Sequence, residues 1–176
     1  MPADAFCSSS AGIEAARRLG EATPQPSGRR GRGATANPSG RYEAARRESF
    51  DDGWSAEEEA VALRTEVRPE HARTLITRNT SPDISFDRSI NPYRGCEHGC
   101  VYCFARPNHA YVGLSPGLDF ETKLFRKVNA GALLEAELSA PGYRPATIAL
   151  GTATDPYQPI EREHRVTRAV LEVLAR

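Results

Sequence analysis

Asn91-Pro92-Tyr93-Arg94-Gly95-Cys96-Glu97-His98-Gly99-Cys100-Val101-Tyr102-Cys103-Phe104-Ala105-Arg106-Pro107 holds three of the four cysteines of the chain. Thiols delivered by so short a loop can converge on one point, because Gly95 and Gly99 permit the tight backbone that aims them. Their number is informative. An electron-transfer cluster of iron and sulfur is held by four cysteines, so three leave one iron without a protein ligand. Like the open position of a catalytic zinc, that iron can hold a substrate or cofactor. The clustering also argues against a disulfide framework, in which cysteines are dispersed to staple distant segments. Cys7, the remaining one, stands among small polar residues and reads as an exposed thiol.

Working outward from this loop, Ile84–Ile90 alternates imperfectly and reads as a strand leading into it, with Thr74–Thr77 as a further β-type run before Ser81-Pro82-Asp83. Phe120–Phe125 reads as the next strand. A helix is predicted over Ala130–Leu138, with Leu133, Leu134 and Leu138 on one face. Ala146–Leu150 is a short apolar run of the kind buried in parallel sheets, and it ends in the polar turn Gly151-Thr152-Ala153-Thr154-Asp155-Pro156. A last helix is predicted from about Glu161, with Val166, Val170, Val173 and Leu174 as its apolar stripe. This βαβα rhythm implies a parallel sheet with right-handed crossovers. Ligands gather at the carboxyl ends of such strands, so the loops 95–106 and 151–159 are expected to open on the same face.

The first part of the chain reads differently. From Ala11 to about Trp54 it is rich in Gly, Pro, Ser, Ala and Arg and lacks a sustained period, which marks a disordered leader. Its Arg29-Arg30-Gly31-Arg32-Gly33 cluster suits either a phosphate backbone or a solvated tail. Ser55-Ala-Glu-Glu-Glu-Ala60 places an N-cap before an acidic first turn, the start of a short helix. Lys plus Arg and Asp plus Glu number 23 each, so the formal net charge is zero and no global field attracts nucleic acid or an acidic membrane. No stretch approaches the roughly 20 apolar residues that span a bilayer, and the start lacks the basic and apolar regions of a signal peptide. A cytoplasmic protein without a membrane partner is expected.

The pattern C-x-x-x-C-x-aromatic-C, carried by Cys96, Cys100, Tyr102 and Cys103, resembles the signature of the radical S-adenosylmethionine superfamily. The longer string Asn91–Pro107, with Asp155-Pro156-Tyr157-Gln158-Pro159-Ile160-Glu161, resembles the bacterial branch related to spore photoproduct lyase, whose members are often labelled DNA repair photolyases. The leader's Gly31-Arg32-Gly33 and Phe50-Asp-Asp-Gly-Trp54 are similar to that branch too. The resemblance covers roughly the second half of the chain. It implies an α/β fold, a partial radical-SAM (βα)6-type barrel comprising the first two βα units and preceded by a disordered leader. Residues 1–64 would be the leader, 65–82 an N-terminal extension packing on the barrel, and 83–176 a truncated core.

By the same resemblance Cys96, Cys100 and Cys103 hold a [4Fe–4S] cluster whose open iron is chelated by S-adenosyl-L-methionine. Reductive cleavage of that cofactor generates a 5′-deoxyadenosyl radical in a lyase-like enzyme. Tyr102 would sit against the adenine, and Gly151, Thr152, Thr154 and Asp155 would meet the methionine moiety. Those four depart from the family's common Gly-Gly-Glu form. A reducing donor such as flavodoxin or ferredoxin is implied as partner, and nucleic acid or another macromolecule as substrate. Fold and cofactor do not fix what the radical attacks.

Several residues keep a second reading. The cysteines can be a zinc site with His98 or His109 as fourth ligand, although no second cysteine hook accompanies them. Asp155 can simply cap the turn before Pro156. Arg94 and Arg106 can offset a cluster's charge or bind a carboxylate, or be surface charges. With the later strands of a complete barrel lying beyond Arg176, a non-catalytic iron–sulfur or zinc-binding fragment is the alternative to an enzyme.

Overall fold

The computed structural model describes residues 33–34, 36–44, 46 and 64–176. Cys7, Arg29–Arg32, Phe50–Trp54 and the helix expected from Ser55 lie outside the described residues. The chain is mixed α/β. Its elements run β1 (Glu66–Glu70), β2 (Ile76–Arg78), β3 (Arg88–Ile90), β4 (Tyr93–Arg94), a 3-10 helix (Arg106–Val112), α1 (Leu118–Thr122), β5 (Lys123–Lys127), α2 (Ala130–Leu138), β6 (Ile148–Leu150), α3 (Glu161–His164) and α4 (Val166–Leu174). No described helix is long and apolar enough to cross a membrane.

The strands form two small mixed sheets where one parallel sheet was expected, with orders β1-β5-β4 and β2-β3-β6. β3 and β6 do pair in parallel, Ile90 opposite Leu150, while β2 lies antiparallel to β3. In the other sheet β5 is parallel to β1 and antiparallel to β4. The strand expected over Ile84–Ile90 is therefore short. Both of its partners end near the level of Arg88, whose neighbours are Arg78 and Ile148, and only the bond from Asn79 N to Asp87 O at 2.8 Å carries the pairing one step further.

Phe120 does not start a strand. It lies in α1, and β5 follows directly. α2 spans the predicted residues, and Leu134 is fully buried while Leu133 and Leu138 pack at the margin. The final helix is broken. Arg165 adopts φ 52°, ending α3 and starting α4, and the Glu161 carboxylate accepts the N–H groups of Thr167 and Arg168 at 3.0 Å each. An acceptor at that end answers the unpaired donors of the first turn of α4.

Leu75, Ile90, Tyr93, Leu124, Leu134 and Val170 form the centre of the main core, with α2 and α4 packed together where Gly131 meets Ala169. Each fully buried aliphatic side chain there contributes about 1.5–3 kcal/mol. A smaller cluster of Cys96, Ala105 and Phe120 lies under the cysteine loop.

Part of the expected leader is seated on this body. The Ala36 carbonyl accepts from Leu118 N at 3.2 Å, the Asn37 side chain exchanges two bonds of 3.1 Å with Asp119, and Tyr42 stacks on Tyr111. The expectation of a structureless leader therefore does not extend to these residues. Their attachment runs through backbone groups and buried carboxylates, which leave no hydrophobic period in the sequence.

Candidate functional site

Gly95 opens the cysteine loop at φ 78°, and a Cβ there would lie 2.6 Å from the Leu124 side chain and 2.9 Å from the Phe120 carbonyl. Only glycine combines that backbone with that contact. Cys96 N donates to Phe120 O at 3.0 Å, and two successive turns follow, Gly99 N to Cys96 O and Cys103 N to Cys100 O, both 3.2 Å. Arg106 then reaches back over the loop. Its guanidinium donates to Gly99 O at 2.8 Å and Cys100 O at 3.0 Å, pairs with the fully buried Glu121, and lies over the Phe120 ring. Arg106 is thus a clasp on the loop. Arg94 is committed as well, to Glu70 at 2.8 Å.

The loop after β6 is laced to this one residue by residue. Asn91 Nδ2 donates to Thr152 Oγ1 at 3.2 Å, and Asn91 Oδ1 accepts Ala153 N at 2.7 Å. Thr154 Oγ1 donates to Gly95 O, and Gln158 joins them through its amide while accepting Glu97 N at 3.0 Å. The Tyr93 hydroxyl donates to Glu161, and burial together with that carboxylate pushes its pKa far up. His98 Nε2 lies 3.1 Å from Asp155 Oδ2, while Asp155 Oδ1 accepts Tyr157 N at 2.7 Å. Asp155 therefore does cap its turn, and its second oxygen lies against His98, both residues lining the cleft between the loops.

The two loops enclose an open cleft of about 820 Å³, lined by Cys96, His98, Cys100, Cys103 and residues 151–157. Every sequence-predicted site residue but one lines it. Tyr102 is the exception: it is 87% exposed and is not part of the lining. Thr154 is buried with its hydroxyl spent on Gly95 and Gln158, so it shapes the cleft more than it offers a donor. Asn91, Glu121 and Gln158 are the residues whose roles sequence reasoning missed, while Arg106, weighed there as a charge offset, a carboxylate ligand or a surface charge, is bound to Glu121 and to the loop carbonyls. The importance of those three comes from partners far away in the chain, and only Asn91 and Gln158 of them lie in the two motifs.

Cys96 is buried, Cys103 half-buried and Cys100 exposed. Burial pushes the Cys96 thiol up from its ordinary value. Among the described residues no three His, Cys, Asp or Glu side chains stand close enough together to hold a metal ion. The donors are nonetheless of the kind that iron or zinc takes, and they share one cleft. His109 is not among them. It is fully buried against Phe120 and Phe125, with Nε2 2.8 Å from Lys123 O, and lines a separate cavity of about 260 Å³.

Over 92 residues the chain is 46% identical to uncharacterized proteins of Mycobacterium bovis and Mycobacterium tuberculosis, a match covering 52% of this chain and 27% of each relative. The chain thus spans about a quarter of the length of the curated relatives it matches. No family model and no solved structure matches it.

Proposed function

We propose that this chain is the cluster-bearing part of a radical S-adenosylmethionine enzyme of the spore photoproduct lyase-like branch, with an incomplete (βα)6-type barrel built on the β3–β6 pair. One observation carries the reading: the three cysteines and the loop Gly151–Asp155, distant in sequence, line a single cleft. Cys96, Cys100 and Cys103 would hold a [4Fe–4S] cluster, leaving one coordination position to S-adenosyl-L-methionine. When bound, that cluster supplies the electron that cleaves a carbon–sulfur bond of the cofactor.

The chain's own residues orient and enclose. The Asp155 carboxylate meets an ammonium group, the Gly151–Thr152 backbone accepts from it, and Arg106 fixes the loop that carries the thiols. Tyr102 reaches an adenine only if its exposed ring turns toward the cleft. By the same resemblance the substrate would be nucleic acid or another macromolecule, with flavodoxin or ferredoxin as electron donor.

His98 lines the same cleft and gives the zinc reading a concrete fourth donor. Anaerobic reconstitution with iron and sulfide separates the two. A broad visible absorption band that S-adenosylmethionine perturbs is expected. Stoichiometric zinc uptake without such a band would overturn the enzyme reading.

A further inference from the structure

Gly33 sits on the cysteine loop so closely that a Cβ there would lie 2.0 Å from the Gly99 carbonyl oxygen and 3.0 Å from the Val101 side chain. The backbone N–H groups of Gly33 and Ala34 donate to Glu121 at 3.2 and 2.8 Å. The same carboxylate binds Arg106, and Arg106 donates to the carbonyls of Gly99 and Cys100. A continuous polar path therefore joins the N-terminal segment, a fully buried carboxylate and the backbone on which Cys100 is carried. Further along, Asn37 and Ala36 fasten the segment to α1, the short helix that presents Glu121.

We propose that residues 33–34 and 36–44 form a strap that sets the conformation of the cysteine loop, with Glu121 and Arg106 as positioning residues for the thiols. A buried carboxylate left without its donors is costly, so Glu121 favours the arrangement in which strap and Arg106 are both seated. Whatever fixes the loop must then favour the seated strap by the same factor, since coupling between two sites is reciprocal. Metal bound by the cysteines is one such ligand. The metal half of the proposal rests on the iron–sulfur reading, whereas the strap–loop coupling does not.

The test is amide hydrogen exchange on the full chain, metal-free and after anaerobic reconstitution, for wild type, Gly33→Ala and Glu121→Gln, with Glu172→Gln as an exposed control. In the metal-free protein both strap variants should exchange residues 96–103 about tenfold faster, the loss of a charge-assisted bond, with α2 and β5 unchanged. In reconstituted protein the strap amides should be slowed, and both variants should release iron to a chelator about tenfold faster than wild type. Should Glu121→Gln unfold the chain, Gly33→Ala still decides, since the nearest atoms to a Cβ at Gly33 belong to Gly99 and Val101 of the cysteine loop. Wild-type exchange of the cysteine loop in Gly33→Ala overturns the proposal, as does acceleration spread evenly over α2 and β5. If wild type takes up no iron, the iron–sulfur reading fails, and the metal-free exchange still decides the strap.

Discussion

Thr154 Oγ1 donates to the Gly95 carbonyl at 2.7 Å across 59 residues of sequence, and the same oxygen accepts from Gln158 Nε2 at 3.1 Å. Thr154→Val keeps the shape of the side chain and removes both bonds, leaving the Gly95 carbonyl and the Gln158 amide only their own long contact at 3.4 Å. A loss of about 1–3 kcal/mol is expected, whereas Thr154→Ser should retain most of the stability. Urea unfolding midpoints of the three proteins give the comparison, and a wild-type midpoint for the valine variant would mean that this bond does not hold the two loops together.

Cys100→Ala should abolish iron uptake on reconstitution, while Cys7→Ala leaves it intact. Iron and acid-labile sulfide per chain are the quantities to measure. Equal iron in the two variants would show the ligand assignment to be wrong.

Asp155→Asn keeps an oxygen to accept Tyr157 N and so preserves the turn, but removes the charge that faces His98 and the cleft. Iron content should stay unchanged while affinity for S-adenosylmethionine falls by about tenfold, the worth of one charge-assisted bond. Binding by calorimetry checks it, and undiminished affinity would leave Asp155 with its turn-capping role alone.

Burial holds the His109 imidazole below its usual pKa. The unfolded chain therefore takes up a proton at about pH 6.5 that the folded chain refuses, and stability falls as pH drops below that value, by at most ~1.4 kcal/mol per unit until the folded pKa is reached. His109→Gln can still donate to Lys123 O and should flatten the fall in urea midpoint between about pH 6.5 and 5.5. An unchanged slope would place the acid sensitivity elsewhere.

How much of this was legible in the sequence depends on what holds each part. α2 matched its predicted span because Leu133, Leu134 and Leu138 carry a helical period that the core reads directly. Phe120 misled, since Phe120 and Phe125 look like one strand. The turn of helix at Leu118–Thr122 is instead held by distant partners, Asn37 on Asp119 and Arg106 on Glu121. β1 was unreadable, with Pro69 and three charged residues in Glu66–Glu70 and a pairing to β5 that supplies its order. Both loops of the cleft were legible from glycines and cysteines. The lacing between them was not, because hydrogen bonds across such separations leave no local pattern.

That lacing also dictates an order of events during synthesis. A chain emerged only as far as Cys103 has its thiols but no cleft, since Thr154 and Gln158, which fix Gly95 and Glu97, arrive later. Closing so long a loop is slow compared with local turn formation. Until it closes, Cys96 lacks the cover that the folded protein gives it, so on the proposed iron–sulfur reading delivery of iron is best timed after β6 has docked on β3.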